Sequence, residues 1–272
     1  MHSKTIGFIG GGNMATSLIG GLVATSHDPD RILVTEPDEQ RRDLLVSDHG
    51  VVALQDNAVL AAQADVIVLA VKPNIMASVL EEIRQPVQVR KPLIISIAAG
   101  IPLQRYRDLL GPGMPIVRSM PNTPALVRAG MTGAIMDAEQ PGEVRKLATA
   151  VLAAAGEVRW FETDHDLDCL TAVSGSGPAY FFHLMECMQA GAERLGLSPE
   201  VARDLVLHTA YGAAKLALHD SASPAELRQR VTSPGGTTAK ALDAFAAGDF
   251  PRVVDNAMQA VVQRAAEMSR EN

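Results

Sequence analysis

With two cysteines, one tryptophan and 4% aromatic residues, this chain lacks the raw material of several protein classes. Cys169 and Cys187 are too few for a disulfide scaffold, and their separation fits neither a CxxC redox pair nor a zinc site. A reducing cytoplasm is the simplest compartment. Basic clusters are also missing. The formal net charge is −7, and no Lys/Arg group comes with interleaved aromatics, so nucleic-acid binding lacks its electrostatic footprint. An acidic chain of this kind must hold an anionic ligand through local groups. The longest apolar runs, such as 64–71 with Asp65 inside it, fall far short of a bilayer span. A strand-like run begins within a few residues of the start, so neither a membrane anchor nor a signal peptide is expected. His165, His183, His208 and His219 lie in helical segments without metal-like spacing, which makes them packing or surface residues and predicts no metal. No fixed-period repeat, low-complexity tract or long flexible linker is visible.

What the chain does have is 272 residues, 47% of them hydrophobic, enough for one large core or two smaller ones. Two domains are the better expectation. Residues 5–9, 31–35, 65–71, 92–97 and 115–119 read as buried strands, with a further strand ahead of Asn57. Segments of helical composition, such as 14–23 and 77–84, separate them. Strands alternating with helices predict a doubly wound, mostly parallel sheet, to which 132–136 and 158–161 add edge strands flanking a helix over 143–155. Beyond Asp164 the alternation stops, and Ala, Leu and Met recur at helical spacing almost to the end. The expected organisation is therefore an α/β dinucleotide-binding domain over 1–163 and an all-α domain over 164–272. Ser198-Pro-Glu and Ser223-Pro-Ala-Glu read as helix starts and Gly196 as a terminator. Met185, Met188, Met258 and Met268 read as core or subunit-interface filler.

Gly10-x-Gly12-x-x-Ala15 has the small-residue spacing of the dinucleotide fingerprint, and it follows a strand and opens a helix. Gly10 permits the turn, Gly12 lets a pyrophosphate approach, and Ala15 lets helix and strand pack closely. Glu36, at the end of the second strand, is placed to accept hydrogen bonds from the adenosine ribose. Its carboxylate argues for NADH, whereas Arg41 and Arg42 just behind it are placed to attract the 2′-phosphate of NADPH, so both cofactors stay open. Ala70-Val-Lys-Pro73 falls at the carboxyl edge of the sheet, where open α/β folds bind ligands, and puts Lys72 near the cofactor or in solvent.

Near the other end lies Ser233-Pro-Gly-Gly-Thr-Thr238. Gly235 and Gly236 allow a tight turn, and the N–H groups that follow face an anion where a helix begins. Ser233, Thr237 and Thr238 add hydroxyls. The simpler alternative is a Ser-Pro helix start with capping threonines.

Taken together, Gly7-Phe-Ile-Gly-Gly-Gly-Asn-Met14, Val71-Lys-Pro73, Ser96-Ile-Ala-Ala-Gly100, Arg118-Ser-Met-Pro-Asn-Thr-Pro124, Ala172-Val-Ser-Gly-Ser-Gly-Pro-Ala-Tyr180 and Ser233–Thr238 resemble pyrroline-5-carboxylate reductase over essentially the whole chain. The resemblance implies a Rossmann-type domain, an all-α dimerisation domain, and NAD(P)H-dependent reduction of Δ1-pyrroline-5-carboxylate to L-proline, the closing step of proline biosynthesis. Its cofactor contacts fall on Gly10, Gly11, Gly12, Asn13 and Met14, with Glu36 at the ribose, on Asn57, on Ala70, Val71, Lys72 and Pro73, and on Ile97, Ala98 and Ala99. The substrate side comprises Ser174, Gly175, Ser176 and Gly177 beside the site, and Ser233, Gly235, Gly236, Thr237 and Thr238 at the carboxylate. The Thr238 hydroxyl matches the group beside the ring nitrogen, which makes it the catalytic candidate. Glu36 departs from the small polar residue that many relatives carry there. The resemblance further implies a homodimer through the C-terminal helices, or a decamer of dimers.

Such chemistry asks little of the protein. Hydride goes to an imine carbon activated by a protonated or strongly hydrogen-bonded ring nitrogen, and no His, Asp or Glu stands out as an acid. Orientation by the carboxylate cradle becomes the main task. Two other functions stay open on sequence alone: a reductase of another cyclic imine or a keto acid, and a nucleotide-binding regulator without turnover.

Overall fold

The computed structural model describes Met1 and residues 3–271, and the chain divides into two compact units. One comprises Met1–Ser176 with the segment from Val261 onward, the other Gly177–Ala260. The first unit alternates β1 (Ile6–Ile9), α1 (Asn13–Ala24), β2 (Ile32–Thr35), α2 (Glu39–His49), β3 (Val52–Leu54), α3 (Asn57–Gln63), β4 (Val66–Leu69), α4 (Pro73–Arg90), β5 (Leu93–Ser96), α5 (Leu103–Leu110) and β6 (Ile116–Met120). It continues with β7 (Gly130–Met136), α6 (Gly142–Leu152), β8 (Gly156–Trp160) and α7 (Asp164–Leu170).

The eight strands form one sheet in the order β3-β2-β1-β4-β5-β6-β7-β8. β1 to β6 are parallel, β7 runs against β6, and β8 is parallel to β7. The order reverses between β1 and β4, and that switch point is where an open α/β sheet leaves a crevice at its carboxyl edge. Helices cover both faces, so β1, β2, β4 and β5 are buried at every position and read as continuous apolar runs. Ile6, Phe8, Val34 and Ile95 pack towards Leu18 and Leu22 of α1 and Val151 of α6. Ile9, Ile67 and Ile94 pack on the other face with Leu60 of α3, Leu80 and Ile83 of α4 and Leu110 of α5. Each such buried aliphatic side chain contributes about 1.5–3 kcal/mol.

One expectation from the sequence changes, and one helix is longer than the segment read from composition. The run at 132–136 belongs to β7, an interior strand between β6 and β8, so only β8 is an edge on that side. Helix α4 continues through Pro86, because the apolar stripe Met76, Val79, Leu80, Ile83 and Val87 stays buried along its length. Tertiary packing there outweighs a proline cost of about 3 kcal/mol.

The second unit carries α8 (Gly177–Arg194), α9 (Pro199–His219), α10 (Pro224–Arg230), α11 (Thr237–Ala247) and the first part of α12 (Phe250–Glu271). α8 and α9 pack together. Gly196 at φ 99° follows the end of α8, Ser198 caps α9, and Ser223 with Glu226 forms a capping box on α10. Phe181, Phe182, Leu195, Tyr211, Leu218 and Val253 remain exposed in the single chain. Exposed apolar surface on this scale marks an interaction face. None of the described helices is long and apolar enough to cross a membrane.

Candidate active site

The carboxyl ends of β2, β1, β4 and β5 stand in a row. They are tied by Gly10 N–H donating to the Thr35 carbonyl (2.8 Å), Ala70 N–H to that of Ile9 (2.9 Å) and Ile97 N–H to that of Leu69 (3.1 Å). Gly10 turns the chain at φ 98°, and a Cβ there would lie 2.7 Å from the Ala70 carbonyl oxygen. The fold itself demands this glycine. Gly12 is different: a Cβ on it meets nothing within 4 Å. It is the N-cap of α1, no side chain caps that end, and no acidic residue lies in the first turn. The open space and the uncapped helix N-terminus therefore fit the pyrophosphate of a dinucleotide.

Glu36 is fixed rather than free. Its Oε2 accepts from Gly11 N–H (2.7 Å) and its Oε1 from Asp38 N–H (3.0 Å), while Arg42 Nη1 donates to its backbone carbonyl (3.2 Å). Each carboxylate oxygen keeps a second lone pair for a ligand hydroxyl. Glu36 and Arg42 line a cleft of about 390 Å³ together with Gly10, Thr35, Asn57 and Val71. Asn57 is held by Thr35 Oγ1 (2.6 Å) and itself donates to Glu82 (2.9 Å). Lys72 is exposed at the start of α4, where Pro73 is the first helical residue. Ile97, Ala98 and Ala99 follow β5 directly. Asn13 and Met14 open α1.

A larger cleft, about 680 Å³, lies at the opposite, amino edge of the sheet, against Lys4, Asp65, Arg90 and Lys146. Asp65 there is already paired with Lys4 and Arg90, and Lys146 with Glu143. The carboxyl edge has the glycine turn and the open helix end, and it is where open α/β sheets bind their ligands.

Sequence reasoning assigned no role to the polar residues beneath this edge. Arg118 is only 4% exposed on β6 and pairs with Asp164 and, at 3.3 Å, with Asp168, both on α7. Asn122 donates to the Ser174 carbonyl (3.0 Å) and accepts from Met131 N–H (2.9 Å). It thereby fixes the π-helical turn Thr171–Gly175, which Ser176 N–H closes onto the Thr171 carbonyl. A charged residue inside an apolar strand run was the available signal for Arg118, but its partners are 46 and 50 residues away. Exchange of Asn122 for alanine is expected to lower the unfolding free energy by about 1–3 kcal/mol, seen as a lower urea midpoint at unchanged slope.

Ser174, Gly175 and Ser176 belong to the first compact unit, and Gly177 and Ser233–Thr238 to the second. In the second unit, Gly236 N–H donates to the Ser233 carbonyl (3.0 Å) across Pro234 and Gly235, with Gly235 at φ 70°. Pro then Gly at the central positions makes this a type II turn. Gly236 is the N-cap of α11 and no side chain caps the helix, so the turn presents the N–H groups of Thr237 and Thr238 to an anion. A Cβ at Gly236 would lie 2.6 Å from Ser233 Oγ. The histidines make local contacts: His165 to Cys169 (3.6 Å), His183 to Glu186 (3.0 Å) and His219 to the Lys215 carbonyl (2.8 Å).

The family model of the pyrroline-5-carboxylate reductase dimerisation domain matches residues 164–268, and that of the coenzyme F420-dependent NADP oxidoreductases matches residues 5–100. A pyrroline-5-carboxylate reductase of Pseudomonas aeruginosa is 44% identical, across 100% of this chain and 99% of its own length. The structure of such a reductase from Coxiella burnetii superposes with a TM-score of 0.93 at 42% identity, covering 98% of each chain. That of the Plasmodium falciparum enzyme, with NADP bound, gives 0.88 at 28% identity over 99% of each. With a switch-point crevice that fits a dinucleotide and likeness to these reductases along its full length, the chain belongs to the pyrroline-5-carboxylate reductase family.

Proposed function

We propose that this chain reduces Δ1-pyrroline-5-carboxylate to L-proline. The observation that carries this reading is the type II turn Ser233–Gly236 leading into an uncapped α11, a cradle for a small carboxylate. Bound NAD(P)H supplies the hydride for the imine carbon. The turn Gly10–Met14 and the N-terminus of α1 hold the pyrophosphate, Glu36 and Asn57 the adenosine end, and Ala70–Pro73 with Ile97–Ala99 the remainder. Ser233 and the N–H groups of Thr237 and Thr238 hold the substrate carboxylate, the Thr238 hydroxyl contacts the ring nitrogen, and Ser174–Gly177 are further substrate residues by the family resemblance. The imine takes its proton from solution, so the protein orients rather than titrates. Addition of the imine to chain and reduced cofactor is expected to consume the cofactor and release proline in equal amounts. Cofactor consumed with another cyclic imine or a keto acid but not with this one would overturn the assignment.

A domain for the cofactor over 1–163 and one for substrate and dimerisation over 164–272 complete the proposal, supported by the dimerisation-model match from residue 164. The exposed apolar side chains of α8, α9 and α12 support a homodimer formed through these helices. Light scattering at micromolar concentration is expected to give a dimer or a decamer of dimers, and a stable, active monomer contradicts it. Free Cys169 and Cys187 support the reducing cytoplasm as the compartment.

A further inference from the structure

Ser96 and Tyr106 are both completely buried, and their hydroxyl oxygens are 2.5 Å apart. Ser96 is the last residue of β5, and its Oγ also accepts the Ala98 N–H at 3.2 Å. Its carbonyl takes the Ser119 hydroxyl from β6 at 2.8 Å. Tyr106 is carried by α5, whose first N–H, from Leu103, reaches Asp164 (3.3 Å), the same carboxylate that pairs with buried Arg118. Burial pushes the Tyr106 phenol up to about 12, against the opposing effect of its bond to Ser96, so it stays protonated at neutral pH. A hydroxyl pair held from β6 and α5 is more than core filling, because Ser96 Oγ also takes the N–H of Ala98 in the backbone just beyond β5.

That backbone belongs to the site. Along the edge, Glu36 follows β2, the glycine turn follows β1, Ala70 follows β4 and Ile97 follows β5. With adenosine at β2 and pyrophosphate at β1, the nicotinamide end lies towards β4 and β5. We propose that the Ser96 and Tyr106 hydroxyls are a positioning pair that sets the backbone of Ile97–Ala99 and through it the seat of the nicotinamide. This rests on the reading that Ile97–Ala99 touches the cofactor. Neither hydroxyl is a catalytic group, since Ser96 acts through the Ala98 N–H and Tyr106 acts through Ser96.

Tyr106→Phe removes one oxygen and keeps the ring in the core. On the cofactor-free protein, exchange of the Ala98 amide with solvent is expected to quicken roughly 5- to 10-fold, the size of one hydrogen bond. Reduced-cofactor binding, followed by its fluorescence, should weaken by a similar factor, and the isotope effect with cofactor deuterated at the transferred position should change. Ser96→Ala breaks the same bond from the other end and serves if the phenylalanine variant folds poorly. The double variant should lose no more cofactor affinity than the worse single one, because both remove the same contact. A lower melting temperature with unchanged Ala98 exchange and unchanged cofactor affinity overturns the positioning role. Faster exchange with unchanged affinity and isotope effect instead removes Ile97–Ala99 from the cofactor, and the proposal falls with the reading beneath it.

Discussion

Exchange of Glu36 for serine is expected to move the ratio of kcat/KM for NADH over NADPH by about 100-fold towards NADPH, from two effects of one carboxylate. For NADH the variant loses charged hydrogen bonds to the ribose hydroxyls, each worth about 1.5–3 kcal/mol. For NADPH it loses a fixed negative charge facing the 2′-phosphate. That charge has no easy way out in the native chain, because Gly11 N–H at 2.7 Å and Asp38 N–H at 3.0 Å pin both carboxylate oxygens. Arg42 lines the same cleft and is bonded to the backbone of Glu36, so the cation that would welcome a phosphate is held beside the anion that repels it. With serine in place, Arg42 faces the phosphate unopposed. Some stability is lost, since one of the two pinned N–H groups loses its acceptor, but a ratio of two cofactors on the same protein cancels that loss. Initial rates with each cofactor over a range of concentrations give the answer. An unchanged ratio removes Glu36 from cofactor choice and leaves it as a structural cap on the glycine turn.

Most of the sheet was legible because its strands are covered on both faces and so are mostly apolar, Arg118 and Ser119 of β6 being the main interruption; β1, β2, β4, β5 and β6 all fall inside the runs read from sequence, apart from a residue at an end. The glycine turn was legible because the left-handed φ of 98° at Gly10 calls for glycine whatever packs around it, although the close approach of the Ala70 carbonyl was not. The helix starts at Ser198 and Ser223 followed from capping chemistry confined to four residues. What escaped is long-range and polar. The Glu36 carboxylate reaches Gly11 from 25 positions away, Asn122 spans 52 positions to Ser174, and Ser96 meets Tyr106 only once β5 and α5 have packed. The interior placement of β7 escaped too, because the short apolar run it contains looks the same whether its second neighbour is solvent or β8. Composition carries no information about which buried polar groups satisfy one another; that is decided by the packing of elements far apart in the chain.

The Thr238 hydroxyl is expected to matter more than any other side chain of the substrate turn. Thr238 follows Thr237 in the first turn of α11, half-buried, just after the type II turn that holds Gly236 N–H on the Ser233 carbonyl. In the proposed function both threonines offer a backbone N–H to the carboxylate of the substrate, and Thr238 is assigned a second contact, from its hydroxyl to the ring nitrogen. Thr238→Val keeps the shape of the side chain and its backbone N–H while removing that contact. A hydrogen bond worth roughly 1–3 kcal/mol then disappears, and kcat/KM for the imine falls about 5- to 150-fold. Cofactor affinity is expected to stay as it is, because the cradle serves the substrate. Thr237→Val is the control: it removes a hydroxyl one position earlier in the same helix turn and should cost little if Thr237 contributes only its N–H. Valine and threonine have nearly equal helix propensity at either site, so the difference between the two variants isolates the hydroxyl. Equal losses in both, or near-native kcat/KM in the Thr238 variant, would leave the turn as a carboxylate cradle and return the ring nitrogen to solvent for its hydrogen bond.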